Sequence, residues 1–249
     1  DPSAVGVADV VLIAVKLWDT ESAAQAVRPM VGPDTTVISL QNGVIKDDVL
    51  RQVHGDQVVV GGVAYVAAHV ARPGVIRQTG AMQRCVIGEY DGKRSARVEA
   101  LHEALVRAGI KAEISDDIRR TIWEKYVFLV GLSGSTTTMR STIGPIREHP
   151  RTRAFLQDLM RETVAVGRAD GVNLPEHYAD ERMAFADTLA YDMNSSMHHD
   201  LASGNPLELP WLSGGVVHLG GKLGVATPAN RAVCDILALY TEGRKPRPG

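Results

Sequence analysis

The sequence predicts a strand-and-helix (α/β) unit over residues 1–115, followed by an all-α unit over residues 116–249. Up to residue 115, short apolar runs rich in β-branched residues alternate with helical patterns, which is typical of strand–helix–strand units. From Asp116 onward the apolar residues recur with the 3.6-residue period of helices, and strand patterns stop. With 45% hydrophobic and 22% charged residues, the 249-residue chain has enough apolar material for a buried core.

The elements of the first unit follow from its apolar runs. Residues 10–15 are unbroken apolar, as is typical of a parallel strand buried on both faces. A helix that begins near Asp19 and a second strand over 36–40 complete a strand–helix–strand unit. The remaining predicted elements are a strand over 57–64, a Pro73–Gly74 turn, an antiparallel hairpin of 75–79 and 84–88, a helix over 95–108 and a short strand over 110–114.

The second unit is predicted to consist of helices alone. One helix has an apolar face over residues 118–130, and another runs over 151–169. A short helix that starts near Met197 would be capped by Asn194 or Ser195. Further helices are predicted over 176–190, 207–223 and 228–240.

Composition excludes several classes of protein. The formal net charge of −2 argues against a nucleic-acid-binding surface. The densest apolar run, residues 10–15, is far shorter than the roughly 20 residues of a membrane span, and no secretory signal accompanies it. Cys85 and Cys234 lack disulfide or metal-ligand spacing and are expected to be reduced and buried. A cytoplasmic protein is therefore expected.

Motifs for metal or hydrolytic chemistry are missing from the sequence. His198 and His199 are neighbours, so they cannot face one metal ion from a helix, and no H-E-x-x-H occurs. The segment Gly131–Ser135 matches the G-x-S-x-G pattern of serine hydrolases only superficially, because it lies in a helical stretch. We therefore expect no bound metal.

The first unit carries no glycine-rich phosphate-binding motif near its start, neither G-x-G-x-x-G nor a P-loop. A doubly wound dinucleotide-binding unit would need its first strand, glycine turn and first helix ahead of Asp1. Either the unit is of another kind, or the chain lacks the beginning of such a unit.

Two polar residues follow neighbouring predicted strands. Lys16 lies after the first strand, and Asn42, within Gln41–Gly43, after the second. Because ligands of open α/β sheets bind at the carboxyl ends of strands, both side chains could face one ligand. The alternative is a solvated lysine and a simple Asn–Gly turn.

Two charged residues lie in apolar surroundings in the second unit. Lys125 occurs within a largely apolar helix, where a partly desolvated ammonium can serve as an acid or base. The alternative is a lysine at the edge of the apolar surface whose side chain extends into solvent. Glu208 stands between Leu207 and Leu209, so its carboxylate needs a partner; the alternative is a solvated glutamate in the first turn of a helix.

An ordered set of short motifs over essentially the whole chain resembles the ketopantoate reductase (2-dehydropantoate 2-reductase) family. The set comprises V-K-x-x-D-T-E from Val15, S-L-Q-N-G-V from Ser39, W-E-K from Trp123, S-S-M-x-x-D-L-x-x-G from Ser195, L-E-L from Leu207 and L-S-G-G-V-V from Leu212. The resemblance implies a Rossmann-type domain for NADPH over residues 1–115, incomplete here, and a helical substrate and catalytic domain over 116–249. Since the glycine turn would be missing, the 249-residue chain is expected to bind NADPH poorly and to have little activity.

The resemblance implies roles for three residues of the helical domain. Lys125 would be the catalytic general acid that protonates the substrate carbonyl oxygen as hydride arrives. Glu208, also catalytic, would hold the substrate hydroxyl or the nicotinamide end of the cofactor. Ser196 would hydrogen-bond the substrate carboxylate.

For the cofactor NADP(H), the resemblance implies contacts from three residues of the first domain. Asn42 would lie between cofactor and substrate and Lys16 beside the cofactor, while Ala68 is a weaker match to a position whose backbone contacts the cofactor. The implied partner is a small oxo acid rather than a nucleic acid or a membrane, and a homodimer is compatible with the sequence.

The sequence departs from the family pattern where asparagines and a threonine usually help to bind the substrate. The positions concerned are Leu129, Ser133, Ile143 and Leu207. The resemblance thus implies NADPH-dependent reduction of ketopantoate, as in pantothenate biosynthesis, or of a related oxo acid. The alternative is a non-catalytic or truncated relative that acts as a binding or oligomerisation module.

Overall fold

A computed structural model describes residues 1–244 and their side chains, apart from the side chains at position 69 and positions 79–82. The chain divides into two compact units, Asp1–Ile122 and Trp123–Gly249. The first combines strands with helices and the second is helical, which confirms the predicted fold class. The division falls inside a long helix rather than in the loop before it.

The first unit is built on one five-stranded sheet whose spatial order follows the chain. Strands β1 to β3 are parallel, β3 and β4 are antiparallel, and β4 and β5 are parallel. The strands are β1 (Val10–Ile13), β2 (Thr36–Ser39), β3 (Val59–Arg72), β4 (Val75–Gly88) and β5 (Lys111–Ile114), and the helices are α1 (Thr20–Ala26), α2 (Lys46–His54) and α3 (Ala96–Arg107).

Strand β1 is buried on one face only. Val11 and Ile13 pack into a core with residues of α1 and α2, whereas Val10 and Leu12 point outward and Leu12 is 57% exposed. The prediction of a strand buried on both faces was therefore wrong here. An apolar run shows that both faces are suited to burial, but it does not show which of them another element covers.

Strands β3 and β4 form one long hairpin. The predicted strand over 57–64 and the predicted hairpin are in fact its two arms, which meet at the Pro73–Gly74 turn, where Gly74 has φ +78°. The pairing register of the two arms is irregular after Val66 and after Val70. Because β3 pairs with β2 only at Val59 and Val60, the outer part of the hairpin extends beyond that pairing.

A buried ion pair joins α2 to the ends of two strands. Lys46 is 1% exposed, and its ammonium donates to the carbonyls of Ser39 (2.9 Å) and Gly62 (3.1 Å) and to the Asp47 carboxylate (3.0 Å). The hydroxyl of Tyr90 donates to the same carboxylate at 2.5 Å, and burial together with the Asp47 charge raises the pKa of that phenol. Neither α2 nor this cluster follows from the sequence analysis.

The second unit contains seven helices over the described residues, the first of which begins in the preceding unit. They are α4 (Ile118–Met139), α5 (Ile143–Glu148), α6 (Pro150–Ala169), α7 (Tyr178–Asp187), α8 (Ser196–Ser203), α9 (Ser213–Leu223) and α10 (Pro228–Leu237). The predicted helix over 207–223 begins only at Ser213, and α5 was not predicted. Among these helices none is both long and apolar enough to cross a membrane.

Helix α4 is buried on every side between Val130 and Thr137. A Cβ atom added at Gly131 would lie 2.5 Å from Cγ of Met160, so α6 can approach α4 this closely only because the residue is glycine. The segment Gly131–Ser135 is helical, as predicted. Cys85 is buried, while Cys234 is only half-buried, and burial raises the pKa of its thiol to about 11.

We expect Asp47→Ala to lower the free energy of unfolding by about 3–5 kcal/mol, because it leaves the Lys46 ammonium buried without a counter-charge. Asp48→Ala is the matched control, since the Asp48 side chain is 66% exposed and its ion pair with Arg51 lies at the surface. Urea unfolding of both variants measures the difference. Equal effects of the two substitutions would contradict the importance of the buried pair.

Candidate functional site

The carboxyl ends of β1 and β2 are joined by one side chain. The amide nitrogen of Gln41 donates to the carbonyls of Val15 (2.8 Å) and Lys16 (3.3 Å) and to the hydroxyl of Thr20 (2.8 Å). Lys16 and Asn42 therefore stand on adjacent loops that are fixed to each other, and both side chains are half-buried. The two loops lie side by side, as predicted. Gln41, which holds them together, was predicted only as part of the turn motif.

Ala68 lies apart from this pair. It is on the outer part of β3, where it is exposed and paired with Gln78 of β4. Strand β3 pairs with β2 only at Val59 and Val60. Ala68 thus lies eight residues along β3 beyond Val60.

In the helical unit, Lys125 is half-buried on α4 and its neighbour Tyr126 is wholly buried. The Tyr126 hydroxyl lies 2.9 Å from the carbonyl oxygen of Trp211 and 2.7 Å from that of Leu212, so it ties α4 to the segment before α9. Burial raises the pKa of Tyr126, which keeps the phenol protonated as a donor.

Glu208 belongs to the segment that Tyr126 holds. Its carbonyl oxygen accepts hydrogen bonds from the backbone of Trp211 and Leu212 (3.1 Å each), which closes a turn ahead of α9. The side chain is only 7% exposed and lies between the buried residues Leu207 and Leu209. The alternative of a solvated glutamate in a first helical turn was therefore wrong. Lys125 and Glu208 stand on two segments that Tyr126 joins.

The two serines before Met197 have different environments. Ser195 is the N-cap of α8: its hydroxyl accepts from the backbone of His198 (3.1 Å) and lies 2.9 Å from the hydroxyl of Thr136 on α4. Ser196 is exposed. Capping thus accounts for Ser195 alone, and Ser196 is left exposed in the first turn of α8.

The positions that depart from the family pattern are mostly inside the helical unit. Ser133 is 0% exposed, and its hydroxyl has no hydrogen-bond partner in the described part of the chain. Ile143 and Leu207 are buried as well, and Leu129 is half-buried. The described residues contain no cluster of His, Cys, Asp and Glu suited to a metal ion.

Comparisons with known proteins identify relatives of this chain. One family model, described as ketopantoate reductase PanE/ApbA, matches residues 1–92, and a second, for the C-terminal part of the same reductase, matches residues 117–241. A 2-dehydropantoate 2-reductase of Halobacterium salinarum is 34% identical over 241 residues, which cover 96% of this chain and 78% of the relative.

Two further similarities agree. An uncharacterized oxidoreductase of Bacillus subtilis, YkpB, is 31% identical, with 93% of this chain and 77% of the relative covered. The crystal structure of a PanE/ApbA family ketopantoate reductase from Ralstonia eutropha has a TM-score of 0.86 at 35% identity, covering 97% of this chain and 78% of that chain. The fold and its relatives are those of oxidoreductases. The chain belongs to the ketopantoate reductase family.

We expect Tyr126→Phe to lower the free energy of unfolding by about 1–3 kcal/mol, because two buried carbonyl oxygens lose their donor. Tyr240→Phe is the control, since Tyr240 is partly exposed and its hydroxyl makes no hydrogen bond within residues 1–244. Thermal or urea denaturation gives both values. A cost of Tyr126→Phe no greater than that of the control would mean that the hydroxyl does not hold the Glu208 segment.

Proposed function

We propose that the protein reduces 2-dehydropantoate (ketopantoate) or a related 2-oxo acid to the hydroxy acid with NADPH, the reduction used in pantothenate biosynthesis. The observation that carries this proposal is the placement of the half-buried Lys125 and the buried Glu208 on segments joined by the Tyr126 hydroxyl. Membership of the ketopantoate reductase family and relatives named 2-dehydropantoate 2-reductase support it.

Lys125 is assigned the proton transfer. An ammonium that is partly removed from water interacts strongly with the negative charge that develops on the carbonyl oxygen, and it can donate a proton to that oxygen. Glu208 would bind the substrate hydroxyl or the nicotinamide end. Its burial fixes the carboxylate in place, so orientation costs little at the moment of reaction.

Ser196 is assigned to the substrate carboxylate. The residue starts α8, and its exposed hydroxyl stands beside backbone N–H groups at the positive end of the helix dipole. The Ser195 cap and its contact with Thr136 hold this end of the helix in position. A carboxylate would thus be bound by a fixed group.

The nicotinamide end of the cofactor is assigned to the ends of β1 and β2. The Asn42 amide and the Lys16 ammonium lie there on loops that Gln41 holds together, and Ala68 is a weaker match to a position whose backbone contacts the cofactor. When bound, NADPH supplies the hydride.

The second candidate function is a non-catalytic relative that binds a ligand or oligomerises. The hydroxyl of Ser133, which lacks a partner in the described part of the chain, and Leu129 favour this candidate, because these positions usually carry substrate-binding amides in the family. An NADPH-oxidation assay of the whole natural protein against a panel of 2-oxo acids that includes ketopantoate separates the two. Turnover of any member supports the reductase, and none across the panel supports the second candidate.

In the active protein we expect Lys125→Ala to lower kcat by about 10²–10⁴-fold, as is usual when a positioned general acid is lost. Lys222→Ala, at an exposed lysine of α9, is the control and should leave kcat unchanged. Ser196→Ala should mainly raise KM, because a contact that is equal in the ground and transition states is removed. Near-normal turnover by Lys125→Ala would contradict the catalytic role and favour the alternative, a lysine whose side chain only extends to the surface.

The substrate preference depends on Leu129. We expect Leu129→Asn to raise kcat/KM for ketopantoate by about five- to tenfold, the effect of one added hydrogen bond. Ser133 is wholly buried, so an asparagine there would require repacking, and the single substitution is the cleaner test. Leu129→Ala removes the same side chain without adding an amide and serves as control. An equal gain in both variants would point to relieved crowding instead of a new hydrogen bond.

A further inference from the structure

A cavity of 210 Å³ lies within the helical unit, and two arginines are among the residues that line it. It is bounded by the end of α4, by α8 and by the segment after α10. Its lining includes Arg140, Arg244 and His198, and no carboxylate among the described residues. In the same part of the chain, neither arginine forms an ion pair.

The position of Arg140 is unusual for an arginine. The backbone of Ser141 donates to the Thr136 carbonyl (3.2 Å), so Arg140 occupies the left-handed position that ends a helix in a Schellman motif, with φ +49°. Glycine and asparagine are the residues usually found there. Such a local conflict is typical of positions where the side chain has a function. The Arg140 guanidinium lies 5.4 Å from the ring centre of Tyr240, at the edge of the cavity.

Arg244 is held in place by backbone contacts. Its N–H donates to the carbonyl of Gly204 (2.9 Å), and its side chain lies so close to Gly204 that an added Cβ there would meet the arginine Cδ at 2.7 Å. Gly243 is equally confined, since its own Cβ would lie 2.7 Å from the Gly204 carbonyl oxygen. The backbone of Arg244 is therefore held in place, while its side chain is exposed at the rim of the cavity.

The cavity is separate from the site assigned to substrate on α8. Ser196 and His198 are two residues apart on that helix, so their side chains point about 200° apart around its axis. His198 and Leu201 line the cavity, which places it on the face of α8 opposite Ser196. The Nδ1 atom of His198 is buried and has no partner among residues 1–244.

We propose that this cavity binds a small, multiply charged oxyanion through Arg140 and Arg244. Guanidinium groups match the geometry of phosphate and carboxylate oxygens, and two of them line this cavity, with no carboxylate among its described lining residues. At 210 Å³ the cavity is smaller than the roughly 300–1,000 Å³ of sites for drug-sized ligands, so a dinucleotide does not fit. The ligand is a phosphate or a short dicarboxylate.

The test is isothermal titration calorimetry of the whole protein with inorganic phosphate and, separately, with malonate, at constant ionic strength set with chloride. Saturable binding of at least one probe is expected. Arg140→Asn removes the charge but suits the left-handed backbone, and Arg244→Gln removes the other charge. Each should weaken binding by about tenfold or more. Arg151→Gln, at an exposed arginine of α6, is the matched control and should leave binding unchanged.

Binding of phosphate alone would identify a phosphate site, and binding of malonate alone a dicarboxylate site. No saturable binding of either probe, or equal binding by the wild type and both cavity variants, would overturn the proposal. If one cavity variant fails to fold, as judged by circular dichroism, the other decides. Because these measurements do not use reductase activity, their failure leaves the proposed function untouched.

Discussion

The helical unit depends on one constraint, the burial of the middle of α4 on all sides. A helix surrounded by others must have small side chains where neighbours approach, and every polar group in it needs a partner. The glycines of this stretch meet the first requirement: the added Cβ of Gly134 would lie 3.0 Å from Leu159 of α6. Two hydroxyls meet the second by donating to carbonyls one turn back, as Ser135 does to Gly131 (2.8 Å) and Thr136 to Leu132 (2.6 Å), whereas those of Ser133 and Thr137 have no partner among the described residues.

The same helix positions the groups assigned to the chemistry. Lys125 lies on it directly, the Glu208 segment is bound to it through Tyr126, and the cap of α8 is bound to it through Thr136. The Glu208 segment and the start of α8 are thus both held by α4, the same helix that carries Lys125. A site built on a buried helix is held more precisely than one built on loops.

What could be predicted from the sequence is what depends on local pattern. Helical periodicity predicted most of the second unit, and the βαβ unit and the Ser195 cap follow from short-range signals. The burial of Lys46 could not be predicted, because it depends on the Gly62 carbonyl, which comes from another strand. For the same reason, the sequence alone left two alternatives for Glu208, a buried carboxylate and a solvated one. The roles assigned to the site residues came from family resemblance, whereas the contacts that hold these residues became visible only in the structure.

The close packing of α4 also determines where the protein can change. In laboratory evolution toward new substrates, substitutions at Gly131 or Gly134 would force α6 away and be lost with the fold. The first half of the helix is less constrained, since Phe128 and Leu129 are only half-buried. If the proposed substrate role of Leu129 holds, substrate preference can change in the first half of α4 but not in its buried middle.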